Sequence, residues 1–168
     1  GWIWQSDAVH DAERCRFEVS PYVVEAADRE VPRWDQPLVS SFGTQQIVLA
    51  VQRQRGVLRF LVRARAEPGF GNRVQFGPTL QVGAHVSGAA ERNGAPIVPH
   101  WCQALMEGTV HAACLQSEEG GRFGWDRCEY RLIEIPETAQ VQDDRLVALT
   151  LAEGEDLTRI PGATTNEF

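Results

Sequence analysis

Apolar residues recur along much of this chain with a period of two. In Val57–Arg65, Leu58, Phe60, Val62 and Ala64 alternate with Arg59, Arg63 and Arg65, the pattern of a strand covered on one face. Comparable runs predict strands over 17–24, 46–52, 74–82, 110–116, 130–135 and 146–151. Arg53-Gln54-Arg55-Gly56 predicts a hairpin turn between two of them, and Gly77-Pro78 restricts its strand to an edge, a bulge or a bend. Residues 87–99, rich in Gly, Ala and Pro, read as a surface loop. The one strong helical pattern covers 151–160, with acidic residues early and Arg159 late, as the helix dipole favours. Short strands with one or two helices and no β–α alternation predict an α+β fold, with 1–168 as a single domain.

The net charge of −7 argues against a nucleic-acid backbone or an anionic membrane as the main partner. All 16 basic residues are arginine. Schiff-base chemistry and a lysine general base are therefore excluded, and any phosphate must be held by guanidinium, backbone N–H or neutral donors. The row Arg59, Arg63, Arg65 fits either a solvated outer face or the basic wall of an anion pocket. Cys15, Cys102, Cys114 and Cys128 form no C-x-x-C pair, and the spacing of His100 with Cys102 and His111 with Cys114 matches no common structural zinc site. Ala112-Ala113-Cys114-Leu115 reads as core. Without a signal peptide or an apolar stretch of membrane length, the expected setting is cytoplasmic, with reduced thiols and neither metal nor cofactor.

Candidate chemistry concentrates in two segments, Glu67–Gln81 and Leu115–Phe123, which mix glycines with carboxylates, carboxamides and an arginine. Glycine allows close backbone approach, and the polar groups offer directional hydrogen bonds, so a polar pocket at strand ends is the expected setting. Glu118 and Glu119, as strand neighbours, point to opposite faces, so one of them at most serves a given pocket as general base, unless a bulge or turn at the glycines rotates the backbone. Gln75, Thr79 and Gln81 on one side, and Gln116 and Ser117 on the other, suit a substrate rich in hydroxyls and carbonyls. His85 and His111 are the proton shuttles by residue type, with a hydrogen-bonded core histidine the other reading of His111. Trp34, in the Pro-bounded polar stretch Arg33-Trp34-Asp35-Gln36-Pro37, reads as a loop residue able to stack on a planar ring. Hydrolase triads, P-loops, dinucleotide-binding glycine motifs and the helix-borne glutamates of Nudix hydrolases are absent from the sequence.

These segments, with Trp34-Asp35-Gln36-Pro37, Gly56-Val57-Leu58, Ala66-Glu67-Pro68-Gly69, Val74 to Gln81, Leu115 to Phe123 and Thr150-Leu151…Asn166-Glu167, resemble the NDP-hexose 2,3-dehydratases of deoxysugar and antibiotic biosynthesis. The resemblance implies a Nudix-like α+β module with a mixed, curved sheet, present here in one copy where the family has two, and hence a homodimer. It implies a thymidine-diphospho-sugar substrate and elimination of water from a 4-keto-6-deoxyhexose. On that implication Glu118 or Glu119 is the base and His85 or His111 the acid. Gln75, Thr79, Gln81, Gln116 and Ser117 meet the sugar, Arg73 and Arg122 the diphosphate, and Trp34 the nucleobase. Two other classes stay open: a single-module tailoring enzyme acting on a polyketide-like substrate, and a non-catalytic binding subunit.

Overall fold

In the computed structural model, residues 1–12, 17–83 and 102–165 are described; His85, Trp101 and the 87–99 stretch lie outside them. Eleven strands and two helices make up the regular structure of the described residues. They gather into two compact units, one of residues 1–12, 17–45, 82–83 and 115–128 and one of residues 46–81, 102–114 and 129–165.

The first unit contains a four-stranded antiparallel sheet in the order β1 (Trp2–Gln5), β2 (Ala8–Asp11), β3 (Phe17–Glu25), β4 (Arg33–Ser41). Ser6 and Asp7 turn β1 into β2 with φ of 51° and 66°, the left-handed pair that a two-residue hairpin needs. β3 and β4 pair along their whole length, from Phe17 opposite Ser41 to Glu25 opposite Arg33. Pro21 faces Pro37 in that ladder. Pro21 is tolerated in an inner strand because the β2 ladder reaches β3 only at Glu18 and Val19. Trp34-Asp35-Gln36-Pro37 is therefore strand, not the loop that its polarity and proline suggest, and β1 and β2 were missed because their short runs carry little periodicity.

The second sheet follows the order β11 (Leu146–Leu149), β6 (Val57–Arg65), β5 (Gln45–Gln54), β10 (Arg127–Ile135), β9 (Thr109–Ser117). Arg55 and Gly56, with φ of 52° and 81°, close the β5–β6 hairpin at the turn read from the sequence. β5 and β6 pair from Gln54 opposite Val57 to Ala50 opposite Leu61 and then part company. Beyond that point β6 takes β7 (Gln75–Gly77) as its neighbour and β5 takes β8 (Leu80–Val82). Pro78 and Thr79 lie between β7 and β8, both fully buried. The proline that breaks the predicted 74–82 strand thus sits where one chain segment changes partners. The ladders whose register is given above are antiparallel, and isolated parallel bridges (Val39 with Phe123, Phe76 with Thr164) make the pairing mixed.

Val48, Ala50 and Leu61 pack with Ile133, Ile135 and Leu105 of α1 (Cys102–Met106) to form the core on one face. Arg59, Arg63 and Arg65 share that face with buried Leu61, because they share its parity on β6. The opposite face also carries buried side chains, Ile47, Val51 and Val62. Both faces are covered, so the arginine row is not a solvated outer face. β9, in contrast, is the sheet edge and is exposed at every position, so Ala112, Ala113 and Cys114 are not core. α2 (Leu151–Thr158) starts at Thr150, whose hydroxyl accepts from the Glu153 N–H while the Glu153 carboxylate accepts from the Thr150 N–H, a full capping box.

The parting of β5 and β6 is closed by one hydroxyl. Thr79 Oγ1 accepts from the Ala50 N–H at 2.7 Å and donates to the Leu61 carbonyl. Thr79→Val keeps the shape and leaves both backbone groups buried without this partner, so it should lower unfolding stability by about 1–3 kcal/mol. Thr79→Ser, which keeps the hydroxyl and loses one methyl, should cost about 1 kcal/mol. Urea melts of the two variants check the order.

Candidate functional site

In the first unit the segment after β9 lies along β4. Val39 N–H donates to the Arg122 carbonyl at 3.0 Å, and Gly124 N–H donates to the Val39 carbonyl at 2.8 Å. Ser40 Oγ donates to the Gly124 carbonyl at 3.0 Å. Asp126, buried, accepts from the Ser41 N–H at 2.7 Å and from the Ser41 hydroxyl at 2.6 Å. Gly124 permits this approach, since a Cβ there would stand 2.7 Å from Ser40 Oγ. Trp34 joins the same arrangement: its indole N–H donates to Gln36 Oε1 at 2.9 Å, and the Gln36 amide donates to the carbonyl of Gly121, whose φ is 83°. The structure therefore brings Trp34 together with the 118–126 segment, through Gln36, a residue the sequence reading passed over.

The adjacent glutamates, which lie just beyond the end of β9, differ in exposure. Glu118 is half-buried, its carboxylate accepting from the thiol of buried Cys128 and its N–H donating to the Asp126 carbonyl at 2.9 Å. Glu119 is exposed. Gln116 and Ser117 are exposed on the last positions of β9, and Arg122 is exposed with its guanidinium 5.1 Å from the centre of the Phe123 ring. Cys128 is a further participant with no local sequence signal, because its proximity to Glu118 comes from the turn that returns β9 into β10.

The remaining candidates among the described residues belong to the second unit. A cavity of about 540 Å³ opens there beside the β6–β7 pair, lined by Arg63, Arg65, Arg145, Glu67 and Gln81 with Val74 and Pro78. Gln81 Oε1 is buried without a hydrogen-bond partner. Gln75 is half-buried on β7, opposite Arg65. Thr79 does not meet a ligand, because its hydroxyl is committed to Ala50 and Leu61. Arg73 is exposed with φ of 63° and does not line the cavity. His111 is exposed on β9, its Nε2 2.7 Å from Glu134 Oε2, so it is a surface histidine in hydrogen-bond contact with a carboxylate and not a core one. His85 lies outside the described residues. A second cavity of about 340 Å³ is mostly apolar, lined by Ile47, Leu49, Phe60, Ala113, Tyr130 and Leu132 among others.

Asp143 organises the arginine cavity. Its side chain, 8% exposed, accepts from Arg145 at 2.9 and 3.0 Å and lies 3.3 Å from Arg63 Nη2. The Arg145 hydrogen bonds hold the Asp143 carboxyl down at about 2. Burial pulls the Arg63 guanidinium below its ordinary value, with Arg145 adding to the effect. Arg65 pairs with Glu67. Among the described residues no group of three or more His, Cys, Asp or Glu side chains is placed to hold a metal ion, and no helix is long and apolar enough to cross a membrane.

Residues 1–163 match the family of NDP-hexose 2,3-dehydratases. The chain belongs to this family. Relatives named dTDP-4-dehydro-6-deoxy-alpha-D-glucopyranose 2,3-dehydratase include one from Saccharopolyspora spinosa, 36% identical over 72% of this chain and 25% of its own length. One from Amycolatopsis orientalis is 31% identical over 89% of this chain and 33% of its own. A third, from Streptomyces violaceoruber, is 34% identical over 73% of this chain and 28% of its own. The chain thus spans about a third or less of the length of these family members. Solved structures with some likeness include a Caenorhabditis elegans Ap4A hydrolase (14% identity, 70% of this chain and 87% of that one, TM-score 0.41). A Nudix hydrolase from M. smegmatis is similar at the same level (14% identity, 84% and 88%, TM-score 0.42).

Asp143 gives this family member a defined acid sensitivity. The folded state holds its carboxyl below the ordinary 3.8, so folding releases a proton between 3.8 and about 2. The stability it contributes should be complete above the ordinary value and fall away as pH drops through that window. Urea melts from pH 2 to 6 should show a shallower slope for Asp143→Asn than for the wild type. The remainder comes from carboxylates such as Glu129 and Glu153, which are also held below their ordinary values by hydrogen bonds from Arg131 and Thr150.

Proposed function

We propose that this chain is a module of a sugar-nucleotide dehydratase, acting on a thymidine-diphospho-4-keto-6-deoxyhexose in deoxysugar biosynthesis. The observation that carries the reading is membership, across 163 residues, of a family whose relatives are named for this 2,3-dehydration. Residues 1–168 act as one module, and the setting is cytoplasmic, in a natural-product pathway.

The chemistry asks for a base beside C3. The C4 ketone acidifies the C3 proton; its removal gives an enolate, and the C2 hydroxyl leaves with a proton as water. The enol left at C3 then tautomerises to a ketone. Glu118 is the proposed base: it is half-buried, and the Cys128 thiol fixes one end of its carboxylate while Glu119 faces solvent. Trp34, tethered through Gln36 to Gly121, is the proposed platform for the base ring. His85 or His111 is the proposed acid.

The edge strand β9 supports association with a second module from another copy of the chain. Val110 and Leu115 are 51% and 54% exposed on it, and an uncovered edge strand with apolar side chains is a template for pairing. Replacing Val110 with Lys should shift the protein toward monomer in light scattering. An unchanged mass would count against β9 as the interface.

Glu118→Gln keeps shape and removes the proton acceptor, so it should lower kcat about 10²-fold or more, with Glu119→Gln near wild type. The measurement is release of water from a 4-keto nucleotide-sugar in deuterated solvent, with deuterium entering the product. A fully active Glu118→Gln variant would remove this residue from the role. Absence of turnover by the wild type, alone or with a second module, would favour the tailoring reading.

A further inference from the structure

A carboxylate that takes a proton from carbon must present one oxygen, correctly aimed, within about 3–3.5 Å of the reacting atom. A glutamate side chain does not hold that aim unaided, because its terminal torsion is broad and twofold. Glu118 is restrained at both ends. Its N–H donates to the Asp126 carbonyl at 2.9 Å. The Asp126 carboxylate is in turn fixed by the Ser41 N–H at 2.7 Å and the Ser41 hydroxyl at 2.6 Å. Those bonds hold the backbone, and the Cys128 thiol holds the side chain by donating to Oε1. Oε2 accepts from none of the described residues and is not buried, so it is the oxygen left to take a proton.

The chemistry of the donor matters as much as its place. A hydrogen bond to a carboxylate favours the ionised form, so a strong donor weakens the group as a base. A thiol is a weak donor, and it can aim the carboxylate while taking little from its affinity for a proton. Cys128 is 2% exposed, so the thiol does not itself meet substrate and acts through Glu118. Of the other ionisable groups along this segment, Asp126 is committed to Ser41, and Glu119, Arg122 and Arg127 are exposed.

We propose that Cys128 is a positioning residue of the dehydration site: it turns Glu118 so that Oε2 is the oxygen that takes the C3 proton, and it leaves the carboxylate basic. The proposal rests on the reading of Glu118 as the base. No bond to Cys128 forms or breaks in the cycle. The C3 proton passes to Oε2 while the thiol keeps its own proton, directed at Oε1. A buried cysteine that merely filled space would aim nothing, and its replacement would act on stability without regard to the carboxylate.

Steady-state kinetics of the intact chain on a 4-keto nucleotide-sugar, with Cys128→Ala, Cys128→Ser and Glu118→Gln, tests this. Cys128→Ala removes the donor and should lower kcat about tenfold with KM within about twofold of wild type, since poor aim costs the transition state and not binding. Cys128→Ser supplies a donor again, and a stronger one. It should recover most of the lost kcat, and the acid limb of its pH–rate profile should lie at lower pH than that of Cys128→Ala, because the donor favours the ionised carboxylate. On the residual activity of Glu118→Gln the alanine change should cost nothing further. Urea melts identify conditions in which every variant is folded. Wild-type kcat in Cys128→Ala, superimposable acid limbs in the alanine and serine variants, or the same loss with and without the Glu118 carboxylate would each overturn the positioning role. An inactive Glu118→Gln beside a fully active Cys128→Ala would leave the base reading standing without Cys128. A fully active Glu118→Gln, or a wild type without turnover alone or with a second module, would remove both.

Discussion

The second sheet depends on a constraint at one point: β5 and β6 part after Ala50 and Leu61, and buried backbone groups cannot be left unpaired there. Two neighbouring strands that diverge expose an N–H on one side and a carbonyl on the other. Water would normally satisfy them, but Ala50, Val51 and Val62 at this junction are fully buried. The chain answers with a single segment that serves both strands in turn, β7 on β6 and β8 on β5, and with the Thr79 hydroxyl across the branch. Pro78 is suited to this position because it offers no N–H that would need a partner.

That branch also shapes the arginine cavity. β6 continues past Leu61 with Arg63 and Arg65 on the same face, paired to β7 in place of β5. Pro78 and Gln81, from either side of the branch, line the space that results. Basic side chains beside a buried core face would be costly in isolation. Asp143, arriving just before β11, and Glu67, just after β6, make the arrangement tolerable and fix its geometry.

In the first unit the equivalent role falls to polar contacts between β4 and the turn that follows β9. Ser40, Ser41, Gln36 and the Val39 backbone all bond to residues between 121 and 126. The sequence points to Gly120 and Gly121 for close backbone approach, but a Cβ at Gly120 would meet nothing within 4 Å and one at Gly121 only the Gln36 amide at 3.9 Å. What approaches closely at Gly124 is another strand, as the position of Ser40 Oγ shows. The same turn sets Glu118 beside Cys128, two residues ten positions apart.

Periodicity alone located β3, β5, β6, β9, β10 and β11 within a few residues, the Arg55-Gly56 turn, and the last helix, because these rest on local alternation, backbone propensity and capping. It read Glu118 and Glu119 as strand neighbours, whereas β9 ends at Ser117 and both lie in the segment beyond it, Glu118 half-buried and Glu119 exposed. Local pattern could not show that Trp34 to Pro37 is a strand, because its ladder partner among the described residues is β3, up to sixteen residues earlier in the chain. It could not show which face of β6 the core would take, whether β9 would be an edge, or that Thr79 would be consumed inside the sheet. Those depend on which strand lies next to which, and strand order is decided by long-range burial and hydrogen-bond pairing that no single segment encodes.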